Sequence, residues 1–215
     1  MAEVASEVIV ARTGRNCQRY EEKFRLVAGC IPYRLKATVE NGADNLQDRL
    51  EVLMISSPNR QDLIFPKGGW ENDETIVEAA SREALEEAGV RGIIKEPILG
   101  EWKFRSKSRQ NSCSSEGTCK GYMFAMEVTE ELQCWPEQAS HERRWLCTSD
   151  AWKICRYDWM REALSSCISF LSEQTLFSSV NLAAEPSSYF FPQQLNLLST
   201  HSADDFFSTV TCYQC

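Results

Sequence analysis

Three glutamates, Glu83, Glu86 and Glu87, lie within the five residues that follow Arg82, in a segment with the periodicity of a helix. At about 100° per residue, the three carboxylates share one arc of that helix about 100° wide, with Arg82 beside them. Like charges at this spacing repel one another and destabilise a helix, whereas a shared divalent cation would remove the repulsion. Oxygen ligands without His or Cys favour Mg²⁺ or Mn²⁺ over zinc. Taken alone, such a segment is also typical of a solvated acidic face.

A glycine-containing loop precedes these glutamates at a fixed spacing. Gly68 is followed after five residues by Glu74, and after seven more by the segment REALEEAGV at 82–90. Residues 68–90 therefore resemble the complete Nudix box, GX5EX7REUXEEXGU, in which U is a bulky aliphatic residue. Every Gly, Glu and Arg position of the pattern matches, and the one departure is Ala84, where a larger aliphatic residue is usual. The spacing favours a chemical role for the helix over a solvated surface.

The resemblance to the Nudix family extends over residues 18–171 and implies an α/β fold, the Nudix-type α/β/α sandwich with a mixed sheet. It implies a hydrolase that cleaves a diphosphate linked to another group and uses Mg²⁺ or Mn²⁺ as cofactor. Carried over by position, Glu83 and Glu87 are the expected metal ligands. Arg82 is expected to orient the acidic cluster, and Glu86 to complete the metal cluster or to deprotonate the attacking water. Bound cations lower the pKa of water and neutralise charge on phosphoryl oxygens.

Positive charge is concentrated in a few segments, although the formal net charge of the chain is −8. Residues 12–36 carry seven basic and two acidic side chains, a local charge of +5. Residues 101–120 carry five basic and two acidic side chains, a local charge of +3. Charge-assisted hydrogen bonds from converging Lys and Arg side chains suit a substrate with many phosphates.

Further motifs resemble one subgroup of the family, the diphosphoinositol polyphosphate and diadenosine polyphosphate phosphohydrolases, and most closely its plant members. They include FRLVAGCIPYR, ISSPN, FPKGG, CKGYMFA, WPEQ, RRW and CRYDWM. The animal members have Gly where Lys67 stands, so Lys67 would add a phosphate contact or narrow the cleft. The implied partner is a polyphosphorylated small molecule, and by position its expected contacts are Arg25, Ser56, Ser57, Lys67, Gly68, Gly69, Lys120 and Arg143.

Two other functions are compatible with these residues. One is a non-catalytic sensor that binds such polyphosphates, although binding alone would not need all of Glu83, Glu86 and Glu87. The other is hydrolysis of a different nucleoside diphosphate derivative, such as ADP-ribose or NADH, whose two phosphates would not need so many cations. Within the favoured subgroup, diphosphoinositol polyphosphates and long diadenosine polyphosphates such as the hexaphosphate are hard to separate, because both present many phosphates.

The elements that must position these residues follow from propensity and periodicity. The clearest helix is expected from about Asp73, as N-cap, to Ala88, with Gly89 as its stop. A final helix is expected over 149–171. Strands are expected at 24–35, 50–57, 98–104, 121–128 and 142–147. The first strand contains Gly29 and Pro32, which predict a bent or edge strand. Strands before and after a helix favour a mixed α/β sandwich.

The 215 residues suffice for one core of roughly 150 residues with extensions. We expect a flexible leader at 1–17, the Nudix domain at 18–171 and a poorly ordered tail at 172–215. No apolar run reaches the roughly 18 residues of a membrane span, so no membrane partner is expected. The net charge of −8 argues against general nucleic-acid binding. A monomer is expected.

The cellular location is expected to be the mitochondrion, with the cytoplasm as the alternative. Arg12, Arg15 and Arg19 suit an organelle transit peptide, whereas Glu3 and Glu7 do not, because such peptides are poor in acidic residues. The assignment of several plant relatives to mitochondria favours import.

Overall fold

The computed structural model describes residues 10–14, 16–37, 45–57, 60–105 and 117–182. In chain order the elements are β1 (Tyr20–Glu21), β2 (Phe24–Leu35), α1 (Leu46–Arg49), β3 (Leu50–Ile55), β4 (Lys67–Gly69), α2 (Ile76–Ala88), β5 (Val90–Arg105), β6 (Thr118–Glu131), β7 (Arg143–Cys147), α3 (Thr148–Ile154) and α4 (Asp158–Leu182).

The strands of the described ranges form one mixed sheet in the order β5-β6-β2-β3-β7, with β1 and β4 paired to β2. Strand β2 runs parallel to β6, with Ala28 opposite Tyr122, and antiparallel to β3 and β4. Of the two predicted alternatives, a bent or an edge strand, the edge strand was wrong, because β2 is central and largely buried. Pro32 is tolerated there since it lies where β2 changes its neighbour, between the pairing of 27–29 with β4 and that of 33–35 with β3.

The helices pack against this sheet, which confirms the predicted α/β fold with a mixed sheet. Helix α2 packs on β2 through four fully buried alanines, and α4 packs on β5 and β6 through larger apolar side chains. One of the four is Ala84, the position at which the box usually has a larger aliphatic residue. The small side chains let α2 lie close to β2, the strand to which the glycine-containing strand β4 is paired. The four alanines are Ala79, Ala80, Ala84 and Ala88.

Helix α2 begins later than predicted. Its N-cap is Thr75 and not Asp73: the Glu78 amide donates to Thr75 Oγ1 at 3.2 Å, and the Thr75 amide donates to Glu78 Oε2 at 2.7 Å. This reciprocal capping box satisfies two amide donors that the start of a helix leaves unpaired. Asp73 instead pairs with Arg12. The predicted stop is confirmed, because Gly89 ends the helix with a left-handed φ of 61°.

The predicted final helix is two helices. Helix α3 ends at Ile154 and α4 begins at Asp158, because Cys155 leaves the helix to form a bridge with Leu63. Helix α4 also continues to Leu182, past the predicted domain end at 171. The predicted tail beyond 182 lies outside the described residues. No helix in the described ranges is long and apolar enough to cross a membrane.

Part of the predicted flexible leader packs on the box. The Arg12 guanidinium is 2.7 Å from Glu71 and 3.0 Å from Asp73, and the Arg12 amide donates to Glu86 Oε1 at 3.2 Å. The segment 10–14 thus has fixed contacts with the loop before α2 and with α2 itself. Residues 1–9 lie outside the described residues.

Candidate active site

Arg82 connects most of the box. Its Nε and Nη2 atoms bind the two carboxylate oxygens of Glu74 at 2.9 and 2.8 Å, and Nη2 also donates to the Gly69 carbonyl at 2.8 Å. Its Nη1 atom donates to Glu83 at 2.8 Å and to Glu86 at 3.1 Å. One guanidinium fork therefore fixes three carboxylates and the glycine loop relative to one another.

Glu83 lies directly against the glycine loop. Strand β4 places Gly68 so close that an added Cβ would lie 2.1 Å from both carboxylate oxygens of Glu83. No side chain fits at Gly68 without displacing Glu83. The Glu83 residue is buried, with 8% of its surface exposed. The glycine of the box is thus required because a carboxylate occupies the space next to it.

Glu87 lies one turn further along α2, beside the same loop. Its Oε2 atom accepts a hydrogen bond from the Lys67 amide at 2.8 Å. Its carboxylate also lies near Glu137 and His141, with one ligand atom from each of the three residues within 4.8 Å of the others. His141 is held by Glu137 at 3.3 Å and by the Ser56 carbonyl at 2.7 Å.

Glu86 has a different environment from the other two glutamates. Its Oε2 accepts from Arg82 and its Oε1 accepts from the Arg12 amide. Both oxygens are therefore engaged by donors from the protein. Arg12 was missed by sequence reasoning, because it stands 62 residues or more before the glutamates that it contacts within the box and no spacing rule connects them.

Burial and mutual repulsion change the acidity of the cluster. Burial, followed by the neighbouring Glu87 charge, raises the pKa of Glu83 to about 8. Burial also raises the pKa of Glu86 and of Glu87 above the ordinary value for Glu. Burial lowers the pKa of the Lys67 ammonium, and Glu87 and Glu83 oppose that shift. The cluster is thus short of positive charge when all its carboxylates are ionised.

A cleft of about 220 Å³ opens beside Gly68 and Glu87. Cationic side chains from four elements or connections of the chain line it, together with two aromatic rings, Phe104 and Tyr157. Two of the cations were predicted as contacts from the sequence, whereas the other two and His141 were not. The four cations are Arg25, Lys67, Arg105 and Arg156.

Comparisons with known proteins show the family of the chain. A family model described as the NUDIX domain matches residues 42–167. The chain belongs to the Nudix family. It is 58% identical to "Nudix hydrolase 13, mitochondrial" of Arabidopsis thaliana over 168 residues, covering 76% of this chain and 83% of the relative.

Two further comparisons are more distant. The chain is 36% identical to the diphosphoinositol polyphosphate phosphohydrolase 3-beta of Bos taurus over 136 residues, covering 62% of this chain and 70% of the relative. A crystal structure of a C. elegans Ap4A hydrolase binary complex superposes with a TM-score of 0.52 at 21% identity, covering 69% of this chain and 98% of that chain. The latter likeness supports the fold alone.

The chain is thus a hydrolase of the pyrophosphohydrolase type, and Nudix hydrolases generally need divalent metal ions. The residues present fit such an ion. Glu83 and Glu87 offer hard carboxylate oxygens next to Gly68, and burial raises the pKa of both groups, so a bound cation would stabilise their ionised forms.

The structure brings some predicted substrate residues together in the cleft. Arg25, Ser57, Lys67 and Gly68 line it. Gly69 does not line the cleft. A Cβ added at Gly69 would lie 2.2 Å from Gln18 Oε1. That oxygen accepts from Arg25 Nε at 2.6 Å, so Gly69 leaves room for the side chain that positions Arg25.

Lys120 and Arg143 do not line the cleft. Lys120 pairs with Glu21 at 3.2 Å and with Glu101 at 3.1 Å. Arg143 donates to the carbonyls of Ala88, Gly89 and Leu132 at 3.2, 3.0 and 2.8 Å. It closes the C-terminal end of α2, where cations are favourable.

Ser56 also lies outside the lining of the cleft. Its Oγ accepts from the Glu142 amide at 3.0 Å, and its carbonyl contacts His141. Its neighbour Ser57 lines the cleft instead, because successive side chains of an extended segment point to opposite sides.

Proposed function

We propose that this Nudix hydrolase cleaves phosphoanhydride bonds of polyphosphorylated metabolites, with Mg²⁺ or Mn²⁺ as cofactor. The substrates proposed are diphosphoinositol polyphosphates and diadenosine polyphosphates such as the hexaphosphate. The observation that carries the proposal is the cleft beside Glu87, which is lined by four cationic side chains in a chain of net charge −8. Such a concentration of cations suits a ligand with several phosphates.

The residues divide into metal ligands, positioning residues and phosphate contacts. Glu83 and Glu87 would hold the divalent cation, which lowers the pKa of the attacking water and neutralises charge on phosphoryl oxygens. Arg82 fixes Glu83 and, with Arg12, fixes Glu86, so that the acidic cluster keeps its shape as charge develops.

The reaction is attack of water on phosphorus with loss of the bond to the bridging oxygen. The bridging oxygen leaves with the remaining phosphates of the substrate. Arg25 on β2 and Lys67, which precedes Gly68 on β4, line the cleft, and they would bind the phosphoryl oxygens on either side of that bond. Glu86 completes the acidic cluster in this proposal.

The aromatic side of the cleft favours substrates with a nucleobase among the candidates. Phe104 and Tyr157 line the cleft, and both stack on Trp159, at centroid distances of 4.6 and 6.4 Å. An aromatic face beside a cationic floor matches a purine joined to a polyphosphate. The inositol substrates are supported by the cattle relative, whose name states that activity.

We further propose a mitochondrial location. The support is the Arabidopsis relative, which carries that location in its name and is 58% identical.

Steady-state kinetics test the proposed substrates. We would compare kcat/KM for diadenosine hexaphosphate, diphosphoinositol pentakisphosphate, ADP-ribose and NADH, each with Mg²⁺ and with Mn²⁺. The expected result is that one or both of the first two exceed ADP-ribose and NADH by at least about tenfold, since each lost charge-assisted contact costs roughly 1.5–3 kcal/mol. Higher kcat/KM for ADP-ribose or NADH would contradict the proposal. Tight binding without turnover of any substrate would favour the sensor.

A further inference from the structure

The linker between α3 and α4 is fixed to the segment that precedes the glycine loop. The Leu63 amide donates to the Ile154 carbonyl at 3.2 Å, and the Arg156 amide donates to the Leu63 carbonyl at 3.1 Å. Cys155 between them is buried. These bonds hold the backbone of Arg156 at one place beside the cleft.

The Arg156 side chain is buried to an unusual degree for a cation. Only 4% of it is exposed, and it lines the cleft with Lys67 and Arg25. Its Nε atom is 2.9 Å from Asp62 Oδ2, and its Nη2 atom donates to the Asp62 carbonyl at 3.3 Å. Within the described ranges, no carboxylate other than that of Asp62 pairs with it.

The carboxylate that faces Arg156 lies partly in water. Asp62 is itself 35% exposed, so water shares its charge. Arg156 and Lys67 line the same cleft, so their two positive charges lie on one surface. Buried cations are stable when they are paired. Like charges in one cleft repel each other, and an anion bound between them reduces that repulsion. The Arg156 fork keeps donors beyond the two that face Asp62.

We infer that Arg156 is a phosphate-binding residue of the cleft, and that it binds a phosphate other than the one next to Glu83 and Glu87. It makes no ion pair with the carboxylates of the box among the described residues, whereas Arg82 makes three. The inference rests on the proposed function, because it assigns one more phosphate of the same substrate. It makes Arg156 a determinant of preference for substrates with longer phosphate chains.

Binding of inorganic tripolyphosphate tests this assignment without requiring hydrolysis. Titration calorimetry in EDTA would compare the wild-type protein with Arg156→Gln, Arg156→Lys and Arg91→Gln. Arg91 is the matched control, since it is an exposed arginine paired with Glu130 on β5 and does not line the cleft. We expect Kd to rise about tenfold or more for Arg156→Gln and less than about twofold for Arg91→Gln.

Asp62→Asn separates a binding role from a structural one. If Arg156 binds phosphate, removing the competing carboxylate leaves tripolyphosphate affinity unchanged or higher. If Arg156 and Asp62 only stabilise the linker, both variants weaken binding alike, and the inference is overturned. Binding by Arg156→Gln within twofold of the wild type, or no binding by the wild type, would also overturn it.

Arg156→Lys replaces Arg156→Gln if the latter does not fold. It keeps the charge and loses the fork, so a weakening of about threefold is expected, and none would count against the inference. Parallel hydrolysis assays on the wild-type protein keep a failure of the proposed function distinct from a failure of this assignment.

Discussion

At the scale of single residues, Arg82 is the group on which the geometry of the box depends. It is 14% exposed and pairs with Glu74, Glu83 and Glu86. Removing it leaves three carboxylates close together, with only the half-exposed Arg12, among the described residues, at 3.9 Å from Glu74 to offset their charge. Arg82→Ala should therefore lower the free energy of unfolding by about 3–5 kcal/mol in urea denaturation.

The control for this prediction is Arg91→Ala, which removes an arginine from an exposed pair with Glu130. A loss of less than about 1 kcal/mol is expected there. Equal losses for the two variants would show that the Arg82 contacts contribute no more than a surface pair.

Glu83 predicts a pH dependence of stability. In the folded protein its pKa is raised to about 8 from an ordinary value near 4.5, so the folded state holds a proton that the unfolded state has released. The free energy of unfolding should thus fall as pH rises between these values in the metal-free protein. Urea denaturation in EDTA at pH 6 and pH 8 measures it.

Two further measurements isolate the contribution of Glu83. Glu83→Gln should lose less stability between pH 6 and pH 8 than the wild type, because it no longer carries the ionisable group. Added Mg²⁺ should stabilise the wild type more at pH 8 than at pH 6, because protons compete with the cation for the carboxylate. Stability that rises over this interval without metal would contradict the assignment.

At the scale of elements, α2 depends on its cap. Thr75 Oγ1 accepts the Glu78 amide, and Glu78 returns the bond to the Thr75 amide. Thr75→Ala should cost about 1 kcal/mol of stability in thermal or urea unfolding. Thr129→Ala is the control, since its hydroxyl makes only a 3.4 Å contact at the surface of β6. A loss no greater than that of the control would show that the cap is not needed.

The difference between the predicted and the observed helix start has a local cause. Asp73 and Thr75 are both good N-caps, and residue type alone does not choose between them. Glu78 stands three residues after Thr75 and completes a capping box, a signal that was present in the sequence. Asp73 instead forms an ion pair with Arg12, a distant partner that no local rule could predict.

The sequence predicted which segments form strands and helices more reliably than it predicted which elements lie next to one another. The bounds of β2 were predicted as observed, yet its central place depends on pairing with β6, which lies about 90 residues further along the chain. The break at Cys155 likewise results from a bridge to Leu63. Local propensity contains no information about such distant partners.

At the scale of the whole molecule, the box was predictable and much of the cleft was not. The box residues lie within one loop and one helix, so spacing alone places them together. The cleft collects cations from distant parts of the chain, so Arg105 and Arg156 were missed, whereas Lys120 and Arg143, predicted as contacts by position, do not line it. The one local signal for Arg156 was the motif CRYDWM.

The segment 10–14 shows the same limit. A flexible leader was predicted at 1–17, whereas Arg12 contacts the loop before α2 and the carboxylate of Glu86. The described part of the leader therefore packs against the box.

The most direct test of the account is the rate of diadenosine hexaphosphate and diphosphoinositol pentakisphosphate cleavage, measured by product analysis with Mg²⁺ and with EDTA. The wild-type protein should cleave at least one substrate only with Mg²⁺. Glu87→Gln should reduce that rate at least about a hundredfold, because it removes a charged metal ligand beside Gly68. Cleavage in EDTA, or a Glu87→Gln rate equal to that of the wild type, would contradict the account.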